Sequence, residues 1–118
     1  MLMDIIKARH SIRNYTDEQI RRDDLEKILE AGNYAPNAGG GQRSMMENMI
    51  LQATELGIAS CIISRGYETF DSEEGRRLMN EWGVPEGYAC QGFIILGYID
   101  GEQPKSKPRK PGRIKIVE

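Results

Sequence analysis

The 118-residue chain predicts a single α+β domain built on a thin antiparallel or mixed sheet, and three features carry that expectation. Two stretches, Leu25–Gly32 and Met46–Leu56, repeat apolar residues at helical spacing. Two runs, Ile58–Ile63, which is continuously small or apolar, and Tyr88–Ile99, read as strand regions. The length suits one modest core that is marginal when alone.

Met3 to Ala8 reads as a short helix with Asp4 near its positive end. The next helix opens at Asp23-Asp24-Leu25-Glu26, where Asp23 caps and Glu26 reaches back to it. Leu25, Ile28, Leu29 and Gly32 share one face, and Asn33–Pro36 ends the helix, because proline disfavours the helical state of its predecessor. From Met45 to Leu56, the residues Met46, Met49, Ile50, Ala53 and Leu56 form a stripe, and Gly57 is the C-cap. A methionine stripe of this kind is a core or dimer contact. Ile58–Ile63 reads as a strand buried on both faces. Ser72 with Glu73 and Glu74 starts a helix that carries Leu78, Met79 and Trp82 inward, and Gly83 with Pro85 stops it. A second strand region follows, with a possible third strand at Ile114–Val117. A sheet this thin is poorly stable without a partner, so the expectation is an obligate homodimer, with Met46 and Met49 buried between subunits.

Composition narrows the function classes. No apolar run is long enough to span a bilayer, and Met1–Ala8 is too short and too acidic for a signal peptide. Cys61 and Cys90 have no metal or disulfide spacing, and His10 is the lone histidine, so a cytoplasmic protein without a multi-histidine metal centre is expected. Residues 103–118 hold six Lys or Arg against one Glu, net +5, which leaves −7 on residues 1–102 and −2 in total. Such a tail suits an anionic polymer or an acidic membrane, yet no aromatics interleave with it, and its prolines favour an extended, solvated arm. No Ser-His-Asp set, carboxylate dyad or phosphate loop is present.

Two blocks stand out. Arg9-His10-Ser11-Ile12-Arg13-Asn14-Tyr15 packs two guanidiniums and a hydroxyl together, donors that suit a phosphate. Ala35-Pro36-Asn37-Ala38-Gly39-Gly40-Gly41-Gln42 is a loop of small residues that lets backbone approach a flat ligand. The order R-x-S-x-R-x-Y, a helix ending in A-x-x-Y-A-P, and a loop closing in Gln resembles the start of the FMN-dependent nitroreductase family. The matching residues are Arg9, Ser11, Arg13, Tyr15, Ala31, Tyr34, Ala35, Pro36 and Gln42. Asn48–Cys61 is similar to the family's helix running into a core strand, and Phe93–Tyr98 with the basic Lys107–Pro111 segment is similar to its end. The chain departs from the family at Gln42-Arg43-Ser44, where a central block of a few dozen residues is missing together with a Pro-Trp pair, and Gly40 replaces an Asn.

The resemblance implies a three-layer α/β/α dimer that binds FMN and passes electrons from NAD(P)H to a nitroaromatic, quinone or similar acceptor by a ping-pong mechanism. It implies that Arg9, Ser11 and Arg13 hold phosphate and ribityl oxygens, with His10 contributing backbone or lying on the surface. Pro36, Asn37 and Ala38 come from the other subunit, near the ring, and Gln42 closes that loop. Ile62, Ile63 and Ser64 line the ring's face through main-chain groups, while Ser64-Arg65 replaces the Glu-Gly of some members. Residues 103–118 form an arm on the dimer partner, bringing Lys107 and Arg109 to the phosphate. No nucleic-acid or membrane partner is implied. The alternative is an inactive flavin- or nucleotide-binding or structural dimer that has lost the ring end of the site.

Overall fold

The structure, a computed structural model, describes residues 1–36 and 42–118. Five helices and two strands follow in the order α1 (Leu2–Ala8), α2 (Arg22–Asn33), α3 (Gln42–Glu55), β1 (Ala59–Ile63), α4 (Gly66–Phe70), α5 (Glu73–Glu81) and β2 (Phe93–Gly97). β1 and β2 pair antiparallel, with Ala59 opposite Gly97 and Ile63 opposite Phe93. The segment after α1 adds single backbone bridges from Ser11 to Ser60 (parallel) and from Tyr15 to Ile99 (antiparallel). The sheet is therefore small and mixed at its margin, as expected.

The core lies between α2, α3 and the sheet. Ile28, Ala53 and Ile58 are its centre, and Ile20, Met49, Leu56, Leu96 and Tyr98 pack around them. Gly32 lets α2 and α3 approach closely, since a Cβ there would stand 2.8 Å from the Met49 Cγ. Met46 and Met49, expected between subunits, are partly buried within the protomer, Met49 on the core and Met46 against Gly92. The Ser72 hydroxyl accepts from the Gly75 amide at 3.0 Å and caps α5 as predicted. Gly57 and Gly83, at φ of 76° and 77°, end their helices in the left-handed region that favours glycine.

Several expectations need correction. α2 starts from Arg21, whose backbone is extended and whose side chain makes no cap bond, so Asp23 and Asp24 lie inside the first turn. They favour its positive end without capping it. β1 is buried on both faces only at Ser60 and Cys61, which point opposite ways; toward its far end Ile62, on the same face as Ser60, is 38% exposed. Trp82 does not point inward; it is 62% exposed and meets the Phe70 ring edge-on at 5.8 Å. Ile114–Val117 forms no strand and lies exposed in the arm. α4 was not foreseen, being five residues with no room for a helical period.

The protomer exposes 9765 Å². A folded monomer of its 13.4 kDa mass would expose about 6,500 Å² by the usual size scaling. Much of the surplus is apolar: Leu2, Met3 and Ile6 on α1, Phe93 and Ile95 on β2, and Ile114, Ile116 and Val117 in the arm are all exposed.

Candidate functional site

α1 ends at Arg9, where the backbone turns extended (φ −64°, ψ 130°). The Ile12 amide donates to the Ser60 carbonyl at 3.0 Å, the Thr16 amide to Tyr98 at 2.9 Å, and the Asp100 amide to the Asn14 carbonyl at 2.9 Å. The R-x-S-x-R segment is thus stitched to the sheet at both ends. In extended chain successive side chains face opposite ways. Ile12 is buried while Ser11 and Arg13 are exposed and Arg9 is half-buried. Arg9, Ser11 and Arg13 therefore form one outward row. Among the described residues neither guanidinium of this row is in an ion pair; the pairs present involve other arginines and the N-terminus. Two uncompensated cations beside a hydroxyl form a site for an oxyanion.

Ser11 lies beside Ser60, and the same strand ends in Ile62 (exposed) and Ile63 (half-buried), with Ser64 (exposed) in the turn just after it, so β1 links both predicted regions. Pro36 is exposed just past the C-cap of α2, Asn37 and Ala38 lie outside the described residues, and Gln42 is the first residue of α3. Lys107 and Arg109 are exposed on the arm.

The root of the arm is tied to the cationic segment of its own chain by residues that the sequence did not point to. The Gln103 side-chain amide donates to the Ala8 carbonyl at 2.8 Å. The His10 ring bridges the same carbonyl, 2.8 Å from Nδ1, and the Ser106 hydroxyl, 2.8 Å from Nε2. No local pattern signals contacts between residues about ninety-five positions apart.

Two concavities stand out among the described residues. One of about 200 Å³ lies beside Arg9 and His10, between the ends of α1 and α3 and the start of β1. It falls below the ~300–1,000 Å³ typical of small-molecule sites. The other, about 650 Å³, lies between α4, α5 and the 84–90 loop, lined by Tyr67, Phe70, Met79, Tyr88 and Cys90, and holds none of the predicted site residues. Tyr15, two residues past Arg13, has its hydroxyl buried without a partner among the described residues. Burial first, and the nearby Cys61 second, push its pKa above the usual value of 10.0, while Arg13 opposes them. Among the described residues no group of His, Cys, Asp and Glu is placed to hold a metal, and no helix is long and apolar enough to cross a membrane.

Comparison with known proteins agrees with this arrangement. A family model described as the nitroreductase family matches residues 6–44 and 43–98, two pieces that meet where the sequence departs from the pattern. A nitroreductase with bound FMN from Bacteroides fragilis superposes with a TM-score of 0.90 at 30% identity, over 99% of this chain and 98% of that one. A nitroreductase with bound FMN from Desulfitobacterium hafniense gives 0.85 at 18% identity, over 99% and 98%, a likeness of fold. A protein of Archaeoglobus fulgidus provisionally named NADH dehydrogenase/NAD(P)H nitroreductase is 53% identical over 38 residues, which are 32% of this chain and only 22% of that relative's length. The outward Arg9-Ser11-Arg13 row on a small mixed sheet, the two-piece family match and the end-to-end superposition lead to one conclusion: the chain belongs to the nitroreductase family.

Proposed function

We propose that this chain is an FMN-dependent oxidoreductase that works as a homodimer, carrying electrons from NAD(P)H to a nitroaromatic, quinone or similar acceptor. The observation that carries the reading is the outward row of Arg9, Ser11 and Arg13, held by backbone bonds and free of carboxylate partners among the described residues. That donor set fits a phosphate dianion, and the FMN named for the B. fragilis neighbour ends in one. Arg9 and Arg13 bind the phosphate, and Ser11 donates to it or to the ribityl chain. Lys107 and Arg109 add positive charge from the arm. Main-chain groups of Ile62, Ile63 and Ser64 orient the ring, and a second protomer supplies Pro36, Asn37 and Ala38, with Gln42 at the base of that loop. The small volume beside Arg9 and the surplus exposed surface favour a site completed between two chains. Bound flavin supplies the hydride-accepting and hydride-donating chemistry; the protein's part is binding, orientation and exclusion of water.

The test is an FMN titration of the full chain and of Arg13→Ala. Loss of one charged phosphate contact costs about 1.5–3 kcal/mol, a 10- to 150-fold weaker Kd. Equal affinity in the two proteins removes Arg13 from the site. The meeting of the two family-model pieces at 43–44 favours one second reading, a dimer that binds flavin without turnover.

A further inference from the structure

We propose that His10 is a positioning residue: with Gln103 it clasps the root of the basic arm to the Arg9–Arg13 segment and thereby stations Lys107 beside the cationic row. The inference rests on the phosphate-binding reading above. Residues 101–118 are exposed throughout and hold no helix or strand. Among the described residues none of the arm's cations is in an ion pair. What ties the arm is the cluster at its root: Gln103 and His10 share the Ala8 carbonyl, and His10 Nε2 meets the Ser106 hydroxyl, each contact at 2.8 Å.

This tie opposes a force. Lys105 and Lys107 flank Ser106, and like charge repels them from Arg9 and Arg13 until an anion is bound. An untethered arm of this composition would spend its time away from the row. Fixing Ser106 brings Lys107 within one residue of the clasp, about 3.8 Å of chain. Pro104 and Pro108 stiffen the backbone on either side, so the restraint at Ser106 carries along the arm. His10 interleaves between Arg9 and Ser11 in sequence, facing the arm while its neighbours face outward. Its side chain therefore acts through Lys107 rather than on the ligand.

Two readouts test the clasp. Limited trypsin digestion reports it without any ligand, because Lys107 and Lys110 precede prolines and resist cleavage, leaving Lys105–Ser106 as the arm's scissile bond nearest the clasp. Slow cleavage there in the wild type and faster cleavage in His10→Ala, at unchanged far-ultraviolet circular dichroism, is the expected result. Ser106→Ala breaks the same contact from an exposed position and covers the case in which His10→Ala fails to fold. The second readout is FMN affinity in a double-mutant cycle. His10→Ala weakens binding roughly 2- to 12-fold, the worth of one hydrogen bond, and adds little once Lys107→Ala is present. Equal cleavage rates in wild type and variants, or additive losses in the cycle, would overturn the proposal. A wild type that binds no FMN defeats the functional reading, and the trypsin comparison then decides the clasp alone.

Discussion

Dilution is the perturbation that probes the assembly most directly. The protomer exposes 9765 Å², about 3,000 Å² more than size scaling allows a folded monomer of this mass. An obligate homodimer buries about 2,000–5,000 Å² in total, so the surplus is ample for one even if the arm's tip stays solvated. If the folded state exists only as a dimer, its stability depends on concentration. Two protomers of 118 residues unfold with an entropy of about 0.5 kcal/mol/K, and a tenfold change in concentration is worth about 1.4 kcal/mol. Tm then rises by about 3 °C per decade, or about 6 °C between 1 and 100 µM. Circular dichroism melts across that range, with sedimentation equilibrium on the same samples, read both quantities. A Tm independent of concentration, with a sedimenting mass of 13.4 kDa, would refute the argument from surface area.

Two substitutions test the packing around the site. A Cβ at Gly66 would lie 2.7 Å from the Cys90 Sγ and from the Gly92 Cα, and backbone cannot yield as a side-chain tip does; Gly66→Ala is expected to lose about 1–3 kcal/mol in denaturant titration, and wild-type stability would contradict the close approach of α4 to the 90–92 loop. Tyr15→Phe deletes a buried hydroxyl with no partner among the described residues, so stability at neutral pH should hold or rise. Burial and Cys61 raise the folded-state pKa of Tyr15 above 10.0, so the stability linked to its proton is complete below that value and drains away as pH climbs through the folded pKa. Tyr15→Phe should therefore unfold less readily than wild type above pH 10, and identical alkaline transitions would show that the hydroxyl is solvated.

Helices whose apolar residues recur with the turn were legible because burial imposes the period: Ile28 with Gly32, and Ile50 with Ala53, are buried as their spacing required. Glycine at a helix end and Ser72 at a cap were legible for local steric and hydrogen-bonding reasons. Trp82 was not, because it follows the last helical turn and its hydrophobicity alone says nothing about direction. Ile114–Val117 alternates like a strand, but a strand forms only where it pairs, and this segment lies exposed in the arm, paired with neither strand of the sheet. In the site, the outward row followed from alternation along extended chain, a local property. The tie between His10 and Ser106 is tertiary, and neither residue's type announces it.

The central claim is that this chain holds a working flavin. The most direct measurement is the visible absorption spectrum of the purified protein with added FMN, after gel filtration and then after NADH or NADPH without oxygen. Flavin bands that travel with the protein and bleach on reduction are the predicted result. Protein that elutes without flavin contradicts the account, and retained bands that no nicotinamide bleaches leave a flavin-binding dimer in place of an oxidoreductase.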